Sequence, residues 1–132
     1  MSAVGGVEVA DLGFIASAAI TKYRFVKGVG TGDRSVELCD TAGEAALGVA
    51  MHDVEADMAT QGAHVNVRLM GIAVVEAGAT VTQYGKVQTD TTGRAIDAAA
   101  ADNQLGVFLS GGDVGDLVTV ALAGPGAQPV LV

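Results

Sequence analysis

Basic side chains are scarce in this chain: Lys and Arg number 7 against 15 Asp and Glu, for a net charge of -8. The seven bases, Lys22, Arg24, Lys27, Arg34, Arg68, Lys86 and Arg94, are dispersed, so no stripe of positive charge answers a phosphate backbone and nucleic acid is excluded as a partner. Cys39 stands alone, which rules out an intrachain disulfide and leaves packing or association as the source of stability. Tryptophan is absent, with 2 Tyr and 3 Phe, too few for a single large aromatic hot spot or a sugar-stacking platform. Long apolar runs are missing too; none reaches the roughly 18 residues of a membrane helix. Glu8 and Asp11 interrupt the apolar start and the first base is Lys22, so a secretory leader is not expected and synthesis in the cytosol is.

Glycine and small apolar residues are what the chain has in quantity. Hydrophobic residues make up 50% of the 132 positions, enough for one folded domain with one core. Within it the sequence repeats. Ile20-Thr21-Lys22-Tyr23 returns as Val81-Thr82-Gln83-Tyr84, an offset of 61. Leu47-Gly48-Val49-Ala50 returns as Leu105-Gly106-Val107-Phe108, an offset of 58, and Gly62 to Gly71 returns as Gly115 to Gly124, an offset of 53. The order is preserved while the offset shrinks, as it would if the second copy had lost residues from two loops.

The matched segments alternate with period two: Val65, Val67 and Leu69 fall on one face and Asn66, Arg68 and Met70 on the other, and Val118, Val120 and Leu122 repeat the pattern. Valine-rich alternation describes strands with one buried face. Further strands are expected over Tyr23–Val29, Ser35–Leu38, Leu47–His52, Gly71–Glu76, Gly85–Gln88 and Leu105–Ser110, separated by turn sequences such as Thr31-Gly32-Asp33, Thr41-Ala42-Gly43, Asp90-Thr91-Thr92-Gly93 and Gly111-Gly112-Asp113. The expected fold is all-β, a small barrel or sandwich built from two related strand modules, with extended N- and C-terminal arms. Helix should be limited to one turn at most, with Ala98–Ala101 the segment of highest propensity. The expected organisation is an N-terminal arm over 1–19, one β domain over 20–124 with halves at about 20–71 and 81–124, and a tail over 125–132. Chain ends commonly fray, but a tail ending Val130-Leu131-Val132 could instead bury its apolar side chains on another chain's sheet edge.

Chemistry-bearing motifs are thin. Between Gly78 and Gly85-Lys86-Val87 the glycines are too far apart for a phosphate loop and Val87 has no hydroxyl for magnesium; Gly28-Val29-Gly30-Thr31-Gly32 lacks dinucleotide spacing. His52, Asp53, Glu55, Asp57 and His64 gather possible metal ligands, but in no recognised spacing, and the second copy has no counterpart. No nucleophile elbow occurs, and Cys39 between Leu38 and Asp40 has no nearby base to activate it. The reading is of a protein that is not an enzyme, with no catalytic residues, no metal and no cofactor.

The run Gln88-Thr89-Asp90-Thr91-Thr92-Gly93-Arg94-Ala95, with Leu105-Gly106-Val107, Gly115-Asp116 and Val118 to Leu122 after it, resembles the capsid cement, or head decoration, proteins of tailed bacteriophages. The first half carries the matching Tyr23-Arg24-Phe25-Val26-Lys27, Leu47 to Ala50 and Val65 to Gly71, so the likeness spans about Ile20 to Gly124. Two departures concern one loop: Ala63 replaces the acid seen at Asp116, and the Val54–Gln61 connection is longer than its counterpart. The resemblance implies a structural virion protein on the outer surface of a phage capsid, made in the host cytoplasm, that clamps neighbouring major capsid protein subunits. Multivalent attachment to a shell adds the expectation of a homotrimer, and the composition that of no nucleic-acid or membrane partner. Partner contacts are expected at Phe14, Ile15, Tyr23, Arg24, Val130, Leu131 and Val132. The other readings are a surface adhesion module and, through the His52–His64 region, a metal-dependent enzyme.

Overall fold

The computed structural model describes residues 10–30, 32–99 and 102–124. Nine strands and one helical turn follow in order: β1 Ala10–Ala16, β2 Phe25–Val29, β3 Ser35–Leu38, β4 Gly48–Ala50, α1 Ala56–Ala59, β5 His64–Glu76, β6 Lys86–Thr89, β7 Ala95–Asp97, β8 Gly106–Phe108 and β9 Leu117–Leu122. The protein is all-β with little helix, and its strands form one sheet in the order β1-β3-β2-β4-β5-β9-β8-β6-β7. A further β1–β5 pairing closes the first five strands into a ring. Closure leaves these strands no free edge, which is how a short barrel avoids edge-to-edge aggregation.

The repeated sequence reappears as repeated register. Val26 pairs Gly48 in β2–β4, and Val87 pairs Gly106 in β6–β8, at offsets of 61 and 58. Ala50 pairs Val67 in the first half and Phe108 pairs Val120 in the second, at offsets of 58 and 53. The isolated bridge Ile20–Val54 is matched by Val81–Gly112. Left-handed backbone recurs as well, at Tyr23 and Tyr84 (φ 63° and 69°) and at Gly71 and Gly124 (φ 98° and 97°). The second half borrows its first strand: β5 is one 13-residue strand whose start pairs with β1 and β4 and whose end pairs with β9.

That arrangement corrects the expected N-terminal arm over part of its length. Residues 10–16 are a barrel strand, antiparallel to β5 and parallel to β3, because Phe14 and Ala16 turn inward with Val65 to fill the first core. The helical turn is also displaced. It lies at Ala56–Ala59, in the longer connection of the first half, where Ala59 is buried; Ala98 and Ala99 are not helical, and Ala100 and Ala101 lie outside the described residues.

Two apolar clusters result. Ile20, Val26, Val36, Ala50, Val54, Val65 and Val67 fill the first barrel. The second half is drawn into a barrel by the isolated Ala77–Ala95 bridge between the end of β5 and β7; Val75, Ala77, Val81, Val87, Ala95, Phe108, Val118 and Val120 fill it, joined by Phe25, Cys39, Ala46 and Val49 from the first half. The halves are therefore packed as one body, with Phe25 crossing from one to the other.

Candidate interaction surface

The residues expected to make outside contacts sit in very different surroundings. Phe14 is half-buried on the inward face of β1 and packs against the first core, with the Arg34 guanidinium 5.3 Å from its ring centroid. Arg34 is anchored there because its Nη2 donates to the Gly13 carbonyl at 2.7 Å. Ile15 pairs with exposed His64 and is half-buried on the outer side of the barrel. Val130, Leu131 and Val132 lie outside the described residues.

Tyr23 and Arg24 lie at the seam between the halves. The Tyr23 carbonyl accepts from the Glu76 N–H at 2.8 Å, and its own N–H donates to the Ala50 carbonyl at 2.8 Å. Arg24 Nη2 donates to Glu76 Oε1 at 3.2 Å, and Glu76 also faces Arg94 Nη1 at 3.6 Å. Arg94 Nε in turn reaches Asp90 Oδ2 at 3.3 Å. Asp90 Oδ1 accepts from the N–H groups of Thr92 and Arg94, which shapes the turn that presents the Gly93 carbonyl to the Phe25 N–H at 2.7 Å. This partly buried network fixes the orientation of the two barrels, and neither end of it is a free contact.

Two further polar groups are held within the chain. Lys27 Nζ lies 2.6 Å from Asp40, 3.1 Å from Glu44 and 3.5 Å from Glu37, and the hydrogen bond to Asp40 holds that carboxyl below its ordinary range. Burial pushes the Cys39 thiol up to about 12, and nearby Glu44 adds to the effect, so it stays protonated and unreactive. The His52–His64 group does not assemble: His52 Nε2 accepts from the Asn66 N–H at 3.1 Å and Asp53 Oδ1 from the Lys22 N–H at 2.8 Å. Among the described residues no three His, Cys, Asp or Glu side chains converge as a metal site would need.

The exposed apolar side chains are a different set, which periodicity alone does not single out. Leu12, Met58, Met70 and Val74 are scattered among them, and the three most exposed, Tyr84 at 72%, Val114 at 60% and Leu117 at 57%, all lie at the loop end of the second half. The loops carrying Tyr84 and Val114 are tied together by the Val81–Gly112 bridge and by Gln83 Nε2 donating to the Leu109 carbonyl. The signal that could have found Tyr84 is its equivalence to Tyr23.

Comparison with known proteins gives a fold and no family. No family model matches the chain, and no curated protein matches it in sequence. Among solved structures it is similar to the head fiber gp8.5 N base of bacteriophage phi29, with a TM-score of 0.69 and 19% identity over 88% of this chain and 95% of that one. At that identity the likeness is one of fold.

Proposed function

We propose that this protein is a structural component of a tailed-phage head that binds the outer surface of the capsid and cements neighbouring major capsid protein subunits. The observation that carries the reading is the near-complete overlap with a solved phage head-fiber base, in a chain whose own repeat strings independently resemble head decoration proteins. A ligand that binds the assembled shell and not its dissociated subunits stabilises the shell by mass action, and no catalytic group is required. The acidic surface favours the outer face over the DNA-filled interior.

Self-association as a trimer is part of the proposal, since three weak contacts on a local threefold axis would raise one another's effective concentration. Ile15 and the 125–132 tail are the proposed outward contacts among the sequence candidates, while Phe14, Tyr23 and Arg24 hold the contact surface in shape from within the chain. Co-sedimentation with expanded, undecorated heads tests the reading. Saturable binding at micromolar protein is expected, and its absence sinks the proposal. Sedimentation velocity of the free protein checks the trimer, and removal of residues 125–132 should weaken binding without loss of the β fold.

A further inference from the structure

We infer that the loop end of the second half, centred on Tyr84, is where this protein grips the shell, and that it receives an extended segment of a capsid subunit carrying basic side chains. The inference rests on the capsid-binding reading above and adds the place and the chemistry of the grip. It starts from the repeat. Tyr23 and Tyr84 occupy equivalent positions, share left-handed backbone, and donate their N–H groups to equivalent carbonyls, those of Ala50 and Phe108. In the first half the Tyr23 carbonyl is filled by the Glu76 N–H of the adjoining strand β5, and the ring is half-buried. In the second half no donor reaches the Tyr84 carbonyl among the described residues, and the ring is 72% exposed. The first half is thus crossed at this place by the end of β5, whereas among the described residues no strand crosses it in the second half.

A bulky residue with positive φ is strained, and the surrounding structure must over-determine it. At Tyr84 the loop does so through the Gly85 N–H bond to the Thr82 carbonyl at 3.0 Å and the Phe108 N–H bond to the Gly85 carbonyl at 2.9 Å. The backbone is thereby held while the ring is presented to solvent, and an exposed tyrosine is the kind of side chain that anchors interfaces. Val114 and Leu117 extend the apolar surface at the same end.

Charge identifies the occupant. Asp97 Oδ1 lies over Gly85, next to Tyr84, so closely that a Cβ there would stand 3.1 Å away. Asp113 and Asp116 flank Val114, and none of these three acids forms an ion pair among the described residues. Against them stands one base, Lys86. An apolar centre inside an acidic rim fits a segment with Lys or Arg beside its own apolar contact, and it repels acidic partners and further copies of this acidic chain.

The test is quantitative co-sedimentation of the full chain with expanded, undecorated heads. Tyr84→Asn suits left-handed backbone, so the variant should fold as well as the wild type or better while lacking the ring. Its affinity for heads is expected to fall about tenfold or more, and Asp97→Lys should weaken binding most at low salt. Thermal melts and circular dichroism verify the fold, and Val114→Ser supplies a second variant away from the strained backbone. Wild-type binding with unchanged affinity in Tyr84→Asn and Val114→Ser overturns the inference and leaves the capsid-binding reading standing. No binding by the wild type overturns both.

Discussion

Replacing Phe25 by alanine should damage the half of the molecule in which Phe25 does not lie in sequence. Phe25 begins β2 of the first barrel, yet its fully buried ring belongs to the cluster formed by Val75, Val87, Leu105, Phe108 and Val120. Truncation leaves a cavity that the closed strands around it cannot collapse to fill, and Phe→Ala at such sites costs about 3–5 kcal/mol. For a domain of this size total stability is about 7–20 kcal/mol, and each kcal/mol moves the melting temperature by roughly 3–5 °C, so a drop of about 10–20 °C is expected. Because β5 serves both barrels and Phe25 bridges their cores, differential scanning calorimetry should show a single transition before and after the change. Val36→Ala, confined to the first core, is the comparison; it should lower the same single transition by a smaller amount, about 1–3 kcal/mol. Two resolved transitions in the Phe25 variant would refute the common core, and a loss under about 1 kcal/mol would refute the packing role.

Gly48 and Gly106 are equivalent, and at each a Cβ would run into backbone, the Arg68 carbonyl in one half and the Ala121 carbonyl in the other. Alanine at either position should cost about 3 kcal/mol or more, read from urea denaturation, and a neutral result at either would break the equivalence. Arg68 clasps Asp11 through Nε and Nη2 at 2.8 and 3.0 Å, and the hydrogen bond lowers the Asp11 pKa. A carboxylate whose folded pKa is depressed stabilises the fold above its unfolded value near 3.9 and loses that contribution as pH falls through the folded value. Asp11→Asn should therefore be less stable than the wild type at pH 7, by under about 1 kcal/mol for so exposed a pair, and the difference should shrink as acid protonates Asp11 in the folded protein. Cys39, buried and protonated, should resist a thiol reagent such as DTNB until urea unfolds the chain; rapid labelling of the native protein would contradict its place in the core.

The strands that could be read from sequence are those whose alternation is strong within one copy: β3 falls on Ser35–Leu38 as expected, and β2, β4, β6, β8 and β9 fall inside or beside their expected spans. The strand missed outright at the start, β1, is short of valine, carries Asp11 and Gly13 on its outward side and leaves Leu12 43% exposed, so only Phe14 and Ala16 mark its inward face and it is easily taken for part of an arm. Carrying the offset of 61 back from Ala73, Val75 and Ala77 would have exposed it, since these are its counterparts in the borrowed end of β5. β7 is no shorter than β4 or β8, but no matched repeat string marks it and it follows the turn Asp90-Thr91-Thr92-Gly93 closely, so nothing in the sequence separates it from that connection. Nor was the seam: Tyr23, Arg24 and Glu76 are far apart in sequence and meet only because β5 runs from one barrel into the next.

The two halves also show how the repeat could lose residues without losing its core. In the first, Ala50 is small, and the longer connection sends Val54 and Ala59 into the barrel beside it. In the second the connection is shorter, Gly112 stands at the place of Val54, and Phe108 replaces Ala50. One large side chain on a strand thus takes the volume that a loop and a helical turn supply in the other copy, which keeps both interiors near close packing. The exposed Tyr84 has a different origin: its counterpart Tyr23 is covered where the end of β5 crosses the first half, and no strand does so at Tyr84 among the described residues. The asymmetry between the copies therefore lies both inside, where Phe108 takes the place of Ala50, and at the surface, where the proposed grip would sit.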